Sequence, residues 1–359
     1  MMLLSQLIDE YEQALFKTHG NELLPSHLKA LADMKRCRNS GSLLMLAECD
    51  QCHHQAFLPH SCGHRSCPHC QHFDCQQWLE RQRKKLLPVD YFMVTFTLPA
   101  QLRKMAWLNQ KRVYSLLFSL AWETLTSFGL KDKKLQGKLG ATAVLHTNTR
   151  ALDFHPHVHF IVPAGSINEK HTLWRKKSGE YLFHEKNMAK VFHAKWIDAI
   201  KQSELTVKET IPSQWIIDCA HVGQGNKALT YLGKYLYRGV LPEKNILKNQ
   251  DGQVTFCYTD NKGVRRTRKL PGGDFLWLLL RHVLPRGFRR ARDYGFLHGN
   301  AKRMMNIIRY VLRCFTPPTN TATPEKRATF CCSQCRGSMR IIATRLKSKT
   351  NLLPVIIDT

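Results

Sequence analysis

The chain has 359 residues, enough for two or three domains, and 43% of them are hydrophobic, enough for a sizeable core. Its 54 Lys and Arg stand against 27 Asp and Glu, a net charge of +27, and such a field attracts polyanions and makes binding depend on salt. Nucleic acid is the expected partner; a membrane is disfavoured, since no lipidation motif or polybasic amphipathic helix occurs and apolar runs such as FLWLLL (275–280) are too short to span a bilayer.

The amino end, MMLLSQLIDEYEQ, turns acidic before an apolar stretch accumulates, so no signal peptide is expected. The thirteen cysteines are therefore placed in a reducing, cytoplasmic setting, where clustered thiols read as metal ligands. Residues 1–36 carry Leu3, Leu7, Tyr11 and Leu15 at helical spacing. Residues 37–80 form the next unit, with short pieces between turns and seven of the cysteines within 37–75. Residues 88–240 alternate strand and helix patterns: a strand at 91–99, a helix at 106–128, strands at 141–146 and 157–162, a helix at 186–202, a strand at 214–220 and a helix at 226–237. That order, β-α-β-β-α-β-α, predicts an α+β fold with a central antiparallel sheet, a ferredoxin-like or split βαβ palm. Residues 241–315 read as a basic extension with a hairpin turning at 260–263 and helices near 273–283 and 299–314, and residues 316–359 as a Pro- and Thr-rich linker and a cysteine-containing tail.

Cys49-x2-Cys52 and Cys67-x2-Cys70 are separated by fourteen residues, the spacing of a tetrahedral zinc site in a zinc-ribbon-like module. Cys37, Cys62, His54 and His64 are further candidates for a second ion or a substituted ligand. Cys332-x2-Cys335, with Cys331 beside it, is half of another site, and Cys314 is the nearest further thiol.

The stretch HPHVHFIV (155–162) puts His157 and His159 on one face of a strand, where two imidazoles about 6–7 Å apart can share a divalent ion. Pro156 is expected to precede the paired part of that strand, leaving His155 at its edge. If 141–146 and 157–162 pair as a hairpin, His146 lies beside His157 and completes a three-histidine site. On the helix at 226–237, Tyr231 and Tyr235 are four apart and stack on one face, whereas Tyr237 faces elsewhere. A phenol near a metal-polarised phosphate is a usable nucleophile, and two on one face permit two sequential transfers. Lys234 and Arg238 lie close by as phosphate contacts. Residues 264–313 carry thirteen Lys and Arg against two Asp, with Arg289, Arg290 and Arg292 the densest group, and are read as DNA-binding.

Histidine–hydrophobic–histidine on a strand, followed by paired tyrosines on a helix, resembles the two-tyrosine HUH endonucleases. The segments CDQC…SCGHRSCPHCQ (49–71), VTFTLP (94–99), LHTNTRALDFHPHVHFIVPAG (145–165), HVGQGNKALTYLGKYLYRG (221–239) and LRHVLPRGFRRARDYGFL (280–297) resemble the rolling-circle insertion-sequence transposases of the insertion-sequence-ninety-one family. Gly63 and His64 depart from that pattern, standing where the family more often has Arg and Asn. The resemblance implies an HUH palm that nicks single-stranded DNA at element ends through a 5′-phosphotyrosine and transfers the strand. It implies Mg²⁺ or Mn²⁺ on His157 and His159, a structural Zn²⁺, Tyr231 and Tyr235 as nucleophiles, and work at the nucleoid of a prokaryote. A replication initiator or relaxase shares this chemistry, and a non-catalytic zinc regulator shares the charge. No G-x4-G-K-[ST] motif is present, so unwinding is expected from host replication and helicase proteins.

Overall fold

The computed structural model describes residues 3–38, 42–68, 70, 72–236, 241–260, 262–314 and 330–346. The chain begins with α1 (Leu4–His19) and α2 (Pro25–Lys35), then the hairpin β1 (Leu44–Cys49) and β2 (Gln55–Pro59), then α3 (His72–Arg83). β3 (Tyr91–Thr97) leads through α4 (Arg103–Leu108) and α5 (Gln110–Lys131) to β4 (Gly140–Asn148) and β5 (Phe154–Pro163). A small ribbon, β6 (Gly165–Ile167) and β7 (Trp174–Lys176), precedes α6 (Glu185–Lys201), β8 (Ile217–His221) and α7 (Asn226–Leu236). The meander β9 (Ile246–Gln250), β10 (Gln253–Thr259) and β11 (Arg265–Pro271) follows, then α8 (Gly272–Leu280), β12 (Ala291–Gly295), α9 (Lys302–Val311), β13 (Phe330–Cys331) and β14 (Ser338–Leu346).

The sheet that positions the site has the order β12-β4-β5-β3-β8, antiparallel at every junction. Its central strands are buried on both faces, so they read as nearly continuous apolar runs rather than alternations. One face carries Phe92, Val94, Phe96, Val158, Phe160 and Val162 and packs on α4, α5 and α6 through residues such as Val113, Leu117, Phe192 and Trp196. The other carries Tyr91, Val144 and Ile161 and meets Trp78 and Leu79 of α3, Leu229 and Leu232 of α7, and Ile308 of α9. A second core lies where α1 crosses α8 under the β9–β11 meander. That crossing is close: a Cβ on Gly272 would sit 2.2 Å from the Tyr11 ring, so only glycine fits.

Several expected elements change in detail. The helix expected over 106–128 is two helices, broken at Asn109, whose backbone (φ −127°, ψ 40°) is not helical. The strand expected at 214–220 is β8, shifted to Ile217–His221. Pro156 lies inside β5 rather than before it. It is tolerated because His155 and Pro156 together oppose the single residue Thr147, a bulge between the pairs His146↔His157 and Asn148↔Phe154. The segment 241–315 also supplies the edge strand β12, which the sequence pattern did not disclose. Among the described residues, no helix is long and apolar enough to cross a membrane.

Candidate active site

The alternation that buries Tyr91 and Ile161 under α7 also sends His157 and His159 to that face, with Val158 on the opposite core. β4 brings His146 directly opposite His157. One ring nitrogen from each of the three imidazoles lies within 4.8 Å of the others. His159 Nδ1 is 2.8 Å from Thr95 Oγ1, on its cross-strand neighbour in β3, and its buried Nε2 has no hydrogen-bond partner. His157 donates from Nδ1 to the carbonyl of His155 at 2.7 Å, which leaves Nε2 with its lone pair. Burial pushes the pKa of all three below the usual histidine range, and for His146 and His159 well below it. Buried neutral imidazoles with converging lone pairs are a metal-ligand arrangement, and an outer hydrogen bond to a hydroxyl or carbonyl is how such ligands are oriented. His155 is not part of the group, since its Nδ1 accepts from Arg103 Nη2 at 2.6 Å. Sequence reasoning missed Thr95 and His282. The latter spans the bulge next to His146, with Nε2 2.8 Å from the Leu152 carbonyl and Nδ1 3.2 Å from Thr147 Oγ1.

α7 crosses this face, and the ring of Tyr231 lies 6.2 Å from those of both His146 and His159, centroid to centroid. The helix is seated by Trp78 and Leu79 and by the Cys75 thiol, which donates to the Gly233 carbonyl. Its entry is set by Gly225 (φ +80°), where a Cβ would press on the Tyr91 ring at 2.9 Å. Tyr235 follows Tyr231 by one turn of α7. The side chains of Lys234 and Tyr235, and the whole of Tyr237 and Arg238, lie outside the described residues.

The cysteines assemble differently from the expectation. Cys49, Cys52, Cys67 and Cys70 do not share one centre; they divide between two. Cys37, Cys62, Cys67 and Cys70 form one cluster, and Cys49, Cys52, Cys332 and Cys335 the other. The reason is the β1–β2 hairpin. Cys49 and Cys52 sit at its turn, whereas Leu44↔Pro59 closes its open end, where Cys37 and Cys62 arrive side by side. Five residues of strand separate the two ends by roughly 17 Å, too far for one ion. In the first cluster Cys37 Sγ is 3.6 Å from Cys70 Sγ and 3.5 Å from Cys67 Sγ, and Cys62 Sγ is 3.6 Å from Cys70 Sγ. Four thiolates on a zinc ion at 2.3 Å stand about 3.8 Å apart, so the cluster fits that ion. Cys314 belongs to neither group, and His54 and His64 are not among the ligands of either.

The basic group is also divided. Arg289 is exposed. Arg290 turns inward toward the His282 carbonyl, and burial draws its pKa down to about 10. Arg292 lies over the Phe118 ring at 4.3 Å and near Phe288 at 5.1 Å. Two of the three therefore support the sheet from β12 and its approach, where a charge on a flexible stem packs on aromatic faces.

Residues 140–304 match the family model described as "Putative transposase", and residues 4–98 match that described as "Transposase zinc-binding domain". A putative transposase (y4qJ) of Sinorhizobium fredii is 28% identical over 338 residues, 87% of this chain and 85% of that protein. The transposase for insertion sequence element IS801 of Pseudomonas savastanoi pv. phaseolicola is 27% identical over 273 residues, 68% of this chain and 63% of that protein. No solved structure matches the chain significantly.

Proposed function

This chain belongs to the insertion-sequence-ninety-one family of transposases, DNA-cleaving enzymes of mobile elements, and we propose that it nicks single-stranded DNA at element ends and transfers the strand through tyrosine. The observation that carries this reading is the seating of the Tyr231 ring 6.2 Å from two imidazoles of a converging three-histidine group. The strand order β4-β5-β3-β8 with α5 and α6 on the opposite face supports a split βαβ palm of the HUH kind. Residues 88–240 are then the catalytic unit and 37–80 the zinc-binding one.

His146, His157 and His159 would hold the divalent ion, and three neutral nitrogens suit Mn²⁺ better than Mg²⁺. When bound, the ion supplies charge neutralisation at the scissile phosphate. The Tyr231 oxygen attacks phosphorus and gives up its proton. A P–O(tyrosine) bond forms, the P–O3′ bond breaks, and the leaving 3′ oxygen takes up a proton. The phosphotyrosine ester keeps the bond energy for rejoining, and Tyr235, one turn on, serves the second transfer. Thr95 and the His155 carbonyl fix the two strand imidazoles by taking their Nδ1 protons in hydrogen bonds. Cys37, Cys62, Cys67 and Cys70 hold a structural Zn²⁺. Single-stranded element ends and target are the DNA partners, and host replication and helicase proteins supply unwinding.

Full chain incubated with Mn²⁺ and a single-stranded oligonucleotide from an element end should form a covalent adduct that mass spectrometry maps to Tyr231 or Tyr235. Tyr231→Phe with Tyr235→Phe should abolish it, a loss of at least about a thousandfold for removal of a nucleophile. Adduct persisting in the double variant overturns the assignment. His157→Ala with His159→Ala should remove metal-dependent nicking, and full activity there rejects the ion site.

A further inference from the structure

The second thiol cluster lies only half within the span matched as a zinc-binding domain, which ends at residue 98 and so includes Cys49 and Cys52 but not Cys332 and Cys335. Cys49 and Cys52 occupy the turn between β1 and β2, and Cys332 and Cys335 the turn between β13 and β14. β1 pairs with β14, so the two hairpins form one four-stranded sheet of order β13-β14-β1-β2. The first and last parts of the described chain thus meet.

The two turns share one backbone conformation. The Gln51 N–H donates to Cys49 Sγ and the Gln334 N–H to Cys332 Sγ, each at 3.4 Å. The His53 N–H reaches the Cys49 carbonyl at 3.1 Å, and the Arg336 N–H the Cys332 carbonyl at 3.0 Å. The Cys49 N–H closes on the His54 carbonyl at 2.9 Å, and the Cys332 N–H on the Gly337 carbonyl at 2.8 Å. The residue after the second cysteine is left-handed in both turns, His53 at φ +57° and Arg336 at φ +60°. Two non-glycine residues held in that region at matching positions mark a pair of knuckles rather than two ordinary turns.

The knuckles face each other. Cys49 Sγ is 3.4 Å from Cys335 Sγ, Cys52 Sγ is 3.6 Å from Cys332 Sγ, and all four sulfurs lie within 4.8 Å. These separations are far beyond a disulfide bond of about 2.05 Å and close to the roughly 3.8 Å edge of a zinc tetrathiolate. The apolar support is small. The buried cluster between the hairpins is Ala47, Cys49, Cys332 and Met339, and two of its four members are the thiols themselves. A sheet with so little core needs another source of cohesion.

We propose that Cys49, Cys52, Cys332 and Cys335 form a second structural zinc site, which clasps the carboxy-terminal hairpin onto the amino-terminal module. Four thiolates select a soft or borderline ion, Zn²⁺ in the cell with Co²⁺ or Cd²⁺ as probes, and reject Mg²⁺ and Mn²⁺. The proposal does not rest on the nicking chemistry.

The native chain carries its own control. Cys52, Cys331 and Cys335 are all exposed, and only Cys331 lies outside the cluster. In zinc-loaded full chain, N-ethylmaleimide should label Cys331 at once and Cys52 and Cys335 at least about tenfold more slowly, until a chelator equalises the three. Equal labelling of Cys335 and Cys331 in the zinc-loaded chain overturns the site. In chain carrying His157→Ala and His159→Ala, which keeps zinc from the histidine site, metal analysis should give two zinc ions per chain, one when Cys332→Ser with Cys335→Ser is added, and one when Cys62→Ser with Cys70→Ser is added instead. A single zinc that vanishes in Cys62→Ser with Cys70→Ser rejects the second site while leaving the first. Cys335→His, which keeps a donor, should retain both ions; two zinc ions in the double serine variant at 332 and 335 would reject the proposal.

Discussion

The histidine site and the thiol clusters both gather metal-type donors within 4.8 Å, but they are held by different means. His146, His157 and His159 come from two neighbouring strands buried on both faces, each fixed by ladder hydrogen bonds before any ion arrives. The thiols come from turns and strand ends; Cys37, Cys67 and Cys70 border the core shared by α1, α2 and α8, whereas the other cluster joins segments about 280 residues apart over a buried group of only four residues. Rigid secondary structure pre-forms the first arrangement, whereas the second depends on its ion for folding. Chelation should therefore silence the histidine site without unfolding its sheet, and should loosen the thiol modules.

The sharpest break in this comparison is a change to the first thiol cluster. Cys37→Ser with Cys62→Ser removes two ligands at the open end of the β1–β2 hairpin and should cost several kcal/mol, given that structural zinc contributes on the order of 10 kcal/mol in small domains. Limited proteolysis should then cut within residues 4–70 while the β3–β5–β8 region stays resistant. An unchanged digestion pattern and zinc content would show that the module folds by packing alone. Thr95→Val tests the opposite region more gently. It keeps shape but removes the hydroxyl 2.8 Å from His159 Nδ1. Mn²⁺ affinity by calorimetry should fall about 10- to 100-fold, as for other outer hydrogen bonds to ligand histidines, with the melting temperature little changed. Retained affinity would mean that the strand alone orients the ring.

The same distinction explains what could be read from sequence. His157, Val158 and His159 expose their facing through period-two alternation, and the helix after Gly225 follows from apolar spacing. Those signals are local. The opposition of His146 to His157 needed a register, and that register is set by a bulge at His155 and Pro156 that the pattern did not show. The pairing of the four knuckle cysteines was illegible because CxxC spacing identifies half-sites but not partners. Cys67 and Cys70 look like the natural complement of Cys49 and Cys52 until the length of the hairpin between them is counted. Arg290 and Arg292 show a related limit: composition records charge but not direction, and Arg290 reaches the His282 carbonyl while Arg292 lies over the Phe118 ring.

The smallest expected effect lies in neither metal region but in the α1–α2–α8 core, a control for changes that reach the site through general stability. His27 stands at the third position of α2, where its Nδ1 accepts the Leu24 N–H at 3.1 Å, and its ring stacks on Trp107 with centroids 5.4 Å apart. Burial lowers its pKa to about 4 from the ordinary 6.5. The unfolded chain therefore takes up a proton that the folded one refuses, so the stabilising difference is complete above the ordinary value and is lost as pH falls through 6.5 toward 4. Between pH 7.5 and 6 the loss is about 1 kcal/mol from this group. His27→Gln keeps an acceptor at a position where glutamine reaches back to the cap N–H, and it cannot titrate. Urea unfolding at the two pH values should show a smaller drop in the variant by about that amount. Equal drops in both proteins would mean that His27 is solvated or protonated in the native state, and the core around Trp107 and Trp277 would then be more open than its packing indicates.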